Sequence, residues 1–559
     1  MVSKCTNFVL FKLIFVWFQV RIWRYLLIAF IIACSFVKFL NCDQDFSDRV
    51  VDLKSLFVTK GVGGGSCFLC GFVIDTLLSA AKKNQPFAKI KSTIMSYCQM
   101  LKFENQVCSG IIDTHGPVIL ESLKLTSLKS REICSMLEEG VCPNVEVPSH
   151  EWAVTLPKVR KPILQNTPIL QANRPKLKVL QINDIHLDLE YSEGSNANCN
   201  EPLCCRMILN TSSSIFFPAG RWGAYTCDLP IQMVEKTLQH IATQHPDIDY
   251  IMWVGDIVPH DIWQQSESGI LETITKSVEQ MKRMFPHTTI VPTIGNHELI
   301  PSGTFAPPWV KNKNFQMSWL LPKLYSLWQD WIPISEKARF IENGFYSILI
   351  RPNFKVISLN ANYCYNQNWW LYVNSTDPGE QLAWLVQQLQ EAESNGVKVH
   401  IIYYKIISRY EDTVTAQFFA HTHMDEFEVF YDNENYVTPV SVGYIAPSLT
   451  PYIGYNPAYR IYYIDAGENS TEMQENLEWV RCYSAKETYN LTSLRPTEWN
   501  NLIKRMEADE SLFQTFYKHY HRHSPAVRKS TPQDKQDILC NLKSGKSHSK
   551  KIFCNSDKR

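Results

Sequence analysis

Four short motifs carry side chains that chelate cations: Asp184-Ile-His186, Gly255-Asp256, Gly295-Asn-His-Glu298 and His421-Thr-His423. Carboxylate oxygen, imidazole nitrogen and amide oxygen suit Zn²⁺ or a similar ion. Such an ion polarises a phosphoryl group or activates water, so the implied chemistry is metal-assisted hydrolysis. A lone Asp-x-His is usually a surface loop. Here each motif follows an apolar run, and glycine precedes Asp256 and Asn296, where a tight turn would aim a side chain into a shared cavity.

The apolar runs are the elements that must position these residues. Residues 177–182, 248–254, 288–294, 354–359 and 397–403 read as strands and alternate with helical stretches. One helix is expected to start at Asp228, with Pro230 in its first turn, and to run through Val234, Leu238 and Ile241. Another follows Pro378 through Leu382, Leu385 and Leu389 and stops near Gly396. This rhythm predicts a layered α/β domain over residues 176–465, with its site in loops at the carboxyl ends of the strands.

The chain has 559 residues, too many for one core, with 45% apolar and 20% charged residues, as in ordinary globular proteins. A net charge of zero gives no support for duplex nucleic-acid binding. Apolar runs at residues 8–20 and 25–40, with Arg21 and Arg24 between them, make residues 1–42 a signal peptide or an uncleaved signal anchor. Glycosylation sequons at Asn210, Asn374, Asn469 and Asn490, together with 17 cysteines, agree with a secreted or lysosomal protein.

Residues 66–146 form a short helical unit with Cys67, Cys70, Cys98, Cys108, Cys134 and Cys142, the kind of segment that disulfides staple. Counting alone leaves about fifteen pairings open. Six prolines between Pro143 and Pro175 make residues 147–175 an extended linker. Residues 466–559 read as a polar, helical C-terminal subdomain ending in a basic tail with Cys540 and Cys554, and no chemistry is visible there.

The motifs resemble the calcineurin-like metallophosphoesterases and, among them, the acid sphingomyelinase (sphingomyelin phosphodiesterase) family. The match lies in Gly255-Asp-Ile-x-x-His260-Asp-Ile-Trp263, Gly295-Asn-His-Glu298, the stretch from Phe418 to Glu428, and the stretch from Tyr452 to Arg460. The six cysteines in front resemble a saposin B-type domain. The resemblance implies a β-sandwich flanked by helices, preceded by an all-α saposin domain. It also implies two zinc ions: Asp184, His186 and His423 for the first, Asn296 and His421 for the second, and Asp256 bridging. His297 would be the general acid; His260 is a second candidate that otherwise positions substrate. Cys67 would pair with Cys142, Cys70 with Cys134, Cys98 with Cys108, Cys199 with Cys204, and Cys205 with Cys227; Cys540 and Cys554 are a further candidate pair. The partner implied is sphingomyelin in membranes or lipoproteins, contacted through the saposin domain by a monomer.

One departure stands out. Family members carry a Gly-His…Gly-His-Cys loop after the strand at residues 397–402, which gives a histidine to the second metal and a cysteine to a disulfide with the equivalent of Cys364. Here the chain continues Val-His400-Ile-Ile-Tyr-Tyr-Lys-Ile-Ile-Ser-Arg. Two losses at one place suggest a deleted segment. The second zinc site is therefore doubtful, with His400 a poor substitute because strand alternation would hold it in the sheet. No partner is evident for Cys364 or Cys482. Three functions follow: sphingomyelin hydrolysis with impaired activity, hydrolysis of a nucleotide or other phosphodiester, and an inactive lipid-binding or regulatory protein.

Overall fold

The structure is a computed structural model that describes residues 65–100, 104–137, 142, 145–159, 176–199, 201–207, 217–402, 406, 409–432, 436–465, 471–473, 483–545 and 553–554. The leader, Asn210, Asn469, Cys482 and linker residues 160–175 lie outside them. Among the described residues no helix is long and apolar enough to cross a membrane.

The first unit is helical: α1 (Gly65–Lys82), α2 (Phe87–Met100), α3 (Asn105–Leu125) and α4 (Ser130–Leu137). Disulfides join Cys67 to Cys142, Cys70 to Cys134 and Cys98 to Cys108. The unit packs on the domain that follows. Trp369 and Tyr372 share one apolar cluster with Ile74, Leu123 and Leu128, and the Thr126 hydroxyl donates to the Tyr372 carbonyl. Val107 and Ile111 of α3 meet Trp263 and Tyr452 in another.

The central domain is a sandwich of two sheets. In chain order its elements are β1 (Lys176–Ile182), α5 (Ile231–Gln244), β2 (Tyr250–Val254), α6 (Glu267–Met284), β3 (Thr289–Thr293), α7 (Leu321–Trp328), α8 (Lys337–Asn343), β4 (Tyr346–Arg351), β5 (Phe354–Ser358), α9 (Gln381–Ser394), β6 (Lys398–Ile402), β7 (Val414–Phe419), β8 (Glu426–Tyr431), β9 (Pro439–Ile445), β10 (Arg460–Asp465) and β11 (Thr471–Met473). One sheet has the order β11-β10-β1-β2-β3 and the other β4-β5-β6-β7-β9-β8. Strands such as Tyr-Ile-Met-Trp-Val in β2 are buried along their whole length, as parallel strands covered on both faces must be. The sheets are tied by polar contacts: Tyr346 donates to the Pro292 carbonyl at 2.8 Å and Gln181 Nε2 to the Phe419 carbonyl at 2.8 Å.

The helix expected from Asp228 begins instead at Ile231, with extended Pro230 as its N-cap. Asp228 is left outside the helix, and its carboxylate receives the His260 backbone N–H at 2.7 Å. The C-terminal part opens with β11, paired to β10, before α10 (Ala485–Thr488), α11 (Pro496–Ala508), α12 (Glu510–Tyr520) and α13 (Pro532–Leu542).

The connection after β6 is anomalous. β1–β2, β2–β3 and β5–β6 are parallel neighbours joined through α5, α6 and α9. β6 and β7 are also parallel, yet only residues 403–413 join them and none of the described ones is helical. Parallel neighbours ordinarily need a crossover of about a dozen residues or more, usually a helix. The connection after β6 is thus shorter than those that pass through α5, α6 and α9, and it lies where the Gly-His…Gly-His-Cys loop is expected.

His400 does not replace it. Its ring lies in the sandwich interior between Phe354 and Phe418, with Nδ1 and the Tyr250 hydroxyl 3.0 Å apart. Burial pushes its pKa down to about 3. A lowered imidazole pKa favours the neutral form in the fold, so its stability contribution is present above pH 6.5 and is lost as pH falls towards 3, by about 1.4 kcal/mol per unit. His400→Gln is expected to flatten the fall in Tm between pH 6.5 and 4 while leaving metal content unchanged, measured by calorimetry and by metal analysis of the same preparation.

Candidate metal centre

Asp184 and His186 follow β1, Asp256 follows β2, Asn296 and His297 follow β3, and His421 and His423 follow β7. Five of these adopt a left-handed backbone: Asp184 (φ 48°), His186 (46°), Asp256 (50°), His421 (81°) and His423 (63°). That conformation costs about 1–3 kcal/mol for each non-glycine residue and persists only where surrounding structure enforces it. All five lie at strand ends, in the loops where the sequence motifs predict a site.

The enforcing contacts are specific. Glu298, fully buried, accepts backbone N–H groups from Gly295 (2.6 Å), Asp256 (3.1 Å) and Ile257 (2.6 Å), binding the second and third motifs into one turn. A Cβ on Gly295 would fall 2.3 Å from Asp256 Oδ1, so only glycine allows this approach. Asp184 accepts the His421 backbone N–H at 3.1 Å and the Asn183 amide, while Asp256 Oδ1 accepts the His297 N–H at 3.0 Å.

The side chains converge. His423 Nε2 is 3.9 Å from Asp184 Oδ1, and His421 Nδ1 is 3.8 Å from Asp256 Oδ2. Ligand atoms of His186, His260 and His423 lie within 4.8 Å of one another, as do those of His186, Asp256 and His297. His186 faces His260 at 3.8 Å between ring centres, and Tyr452 covers the other histidine at 4.2 Å. Asn296 is half-buried, its carbonyl held by the Gly303 N–H at 2.9 Å.

Charge follows from this crowding. Burial and then the neighbouring Asp256 raise the Asp184 carboxyl to about 8. Asp256 moves the other way: burial opposes ionisation, but His297 and His421 hold it below the usual carboxylate range. Burial, followed by the other histidines, keeps His186 neutral. Burial, then His260 and Arg522, does the same for His423.

These features fit a cation at the first position. His186 places Nδ1 at 2.8 Å from the Val258 carbonyl, which leaves Nε2 with a lone pair; that atom is buried without a hydrogen-bond partner. Orientation of a ligating histidine through its other nitrogen is usual at metal sites. The second position fits less well. It offers Asp256, Asn296 and exposed His421, and residues 403–413 contain no histidine or cysteine.

Sequence reasoning missed several residues of this site. Asp228 was assigned to a helix, but its carboxylate faces His260 Nδ1 at 2.8 Å and accepts from Thr450 Oγ1 at 3.1 Å. Arg522, in the region where no chemistry was visible, is buried beside the loop that backs His423. The stapled excursion after the first motif holds disulfides Cys199–Cys204 and Cys205–Cys227, and Cys540 pairs with Cys554 in the tail. Asn374 and Asn490 are exposed, as is Cys364.

The calcineurin-like phosphoesterase family matches residues 177–425, which contain the four cation-chelating motifs; such a domain implies divalent metal binding. A human sphingomyelin phosphodiesterase is 35% identical over 508 residues, covering 84% of this chain and 80% of that protein. Sphingomyelin phosphodiesterase 2 of Caenorhabditis elegans is 30% identical, covering 88% of each chain. Sphingomyelin phosphodiesterase B of Dictyostelium discoideum is 32% identical, covering 86% of this chain and 80% of its own. With this likeness spanning the helical unit, the sandwich and the strand-end site alike, the chain belongs to the sphingomyelin phosphodiesterase family.

Proposed function

We propose that this chain hydrolyses sphingomyelin to ceramide and phosphocholine at a zinc-dependent site, at a rate limited by an incomplete second metal position. The observation that carries the proposal is that His186 shares one cluster with His423 and another with Asp256, all on strained backbone, with Asp184 against His423 and His186 Nε2 unpartnered. Asp184, His186 and His423 would hold one zinc, and Asp256 would face both positions, the second offering besides it only Asn296 and His421. Bound zinc supplies Lewis acidity towards a phosphoryl oxygen and activates water.

The chain's own residues supply the rest. The ceramide alkoxide leaves as a strong base and needs a proton. Two histidines face the cluster. Burial pushes His297 down to about 4, and its Nδ1 has no hydrogen-bond partner. His260 has its Nδ1 fixed by Asp228 at 2.8 Å, which orients the ring. We therefore assign His260 as proton donor through Nε2 and Asp228 as its positioning residue, with His297 holding the Asp256 loop by its backbone.

The helical unit, a saposin-type domain on this reading, supports a membrane-borne substrate. Phe68 and Phe72 are exposed one turn apart on α1 while the opposite side of the unit packs against Trp369 and Tyr372. Exposed sequons at Asn374 and Asn490 support delivery through the secretory route to the lysosome or outside, and a monomer suffices for the site. The connection at residues 403–413, without histidine or cysteine, favours one other reading, a lipid-binding family member without turnover.

The deciding experiment measures phosphocholine release from sphingomyelin-containing vesicles by the purified full chain. Slow release that a zinc chelator abolishes is expected. Vesicle binding without release at saturating zinc would favour the lipid-binding reading, and preferential cleavage of a soluble nucleotide diester would contradict both.

A further inference from the structure

Arg522 follows α12 with a left-handed backbone (φ 54°) and is only 4% exposed. Its Nη1 donates to the Ser448 carbonyl at 2.7 Å and to Ser448 Oγ at 2.9 Å, and its guanidinium lies 4.9 Å from the Tyr455 ring centre. Nε and Nη2 are buried without hydrogen-bond partners. Burying a guanidinium this way is costly, so its retention calls for a role beyond packing.

The contacts of Ser448 suggest that role. Its N–H donates to the His423 carbonyl at 3.4 Å, and the next two N–H groups, of Leu449 and Thr450, donate to the carbonyls of Asn183 (3.1 Å) and Asp184 (3.0 Å). One loop therefore holds the backbone of two candidate ligands in strained conformations. The C-terminal region grips that loop from outside: besides Arg522, Asn456 Nδ2 donates to the Arg522 carbonyl at 2.9 Å and Ser524 Oγ to the Gly454 carbonyl. On the far side of His423, the Asp425 N–H donates to the Tyr520 carbonyl at 3.2 Å.

We propose that Arg522 is a positioning residue for the first metal site, fixing His423 and Asp184 through the Ser448 loop. The C-terminal region would then be part of the metal centre's framework, although it contributes no ligand. This inference rests on the zinc reading above.

The test is zinc affinity of the purified full chain, by competition with a chromophoric chelator, for the unaltered protein, Arg522→Met, Arg522→Lys and the control Leu502→Ala in the core of α11. Loss of a group that orients a ligand commonly weakens metal binding by about 10- to 100-fold. Arg522→Met is expected to fall in that range and Arg522→Lys between it and the unaltered chain, while Leu502→Ala lowers Tm with zinc affinity unchanged. If both Arg522 variants bind zinc within about twofold of the unaltered chain, the proposal is overturned, including the case where turnover alone falls and Arg522 instead contacts substrate. Should Arg522→Met not fold, Arg522→Lys decides by the same comparison. Absence of zinc binding by the unaltered chain would remove the zinc reading itself, whereas the ratio of variant to unaltered affinity tests Arg522.

Discussion

Inserting a Gly-His…Gly-His-Cys crossover between Ile402 and Val414 is expected to raise sphingomyelin turnover by about 10²-fold or more and to raise bound zinc from one to two per chain. The physical case has two independent parts. β6 and β7 are parallel neighbours joined by residues 403–413, whereas the β1–β2, β2–β3 and β5–β6 connections each contain a helix. The same stretch lacks the histidine that would join Asp256, Asn296 and His421. A two-metal clamp stabilises the developing charge by several kcal/mol, and each 1.36 kcal/mol is tenfold in rate, so a gain of about 10² is a modest expectation. Unchanged turnover and one zinc per repaired chain would mean that the short connection is not what limits the site.

Asp256→Asn is the second large effect. Asparagine keeps the shape and can still accept the His297 N–H now received by Oδ1 at 3.0 Å. It also retains some tolerance of the left-handed backbone at this position (φ 50°). What it removes is the negative charge that His297 and His421 hold in place. A loss of about 10³-fold or more in kcat is expected in the original and repaired chains alike, with Tm near that of the parent. A loss below tenfold would place the reaction elsewhere.

Much of this was legible before any coordinates. The motifs announced themselves because a cation site needs a narrow set of side chains and because glycine before Asp256 and Asn296 has a backbone reason: Gly255 itself sits at φ 64°, and Gly295 lies against Asp256. The strands were legible because β2 is an unbroken apolar run and β1 and β3 keep Leu177, Val179, Leu180, Ile182, Ile290 and Val291 within five- to seven-residue buried segments. What stayed hidden depends on distant parts of the chain. Asp228 carries a good helix-start signal, and only the fold shows that its carboxylate faces His260, 32 residues on. Arg522 sits in a polar tail with no local pattern, and its meaning comes from Ser448, 74 residues away. Strand alternation makes His400 a poor ligand, and its partners Tyr250, Phe354 and Phe418 place it between the sheets. The short connection between β6 and β7 lies where the sequence lacks the family's Gly-His…Gly-His-Cys loop.

The most direct test of the account is the metal content of the purified full chain after dialysis, alongside Asp184→Asn and His423→Ala. Close to one zinc per chain, falling to near zero in both variants, is the predicted result. A metal-free unaltered chain at saturating zinc, or variants that retain the ion, would contradict the claim that these strand-end residues gather around a cation.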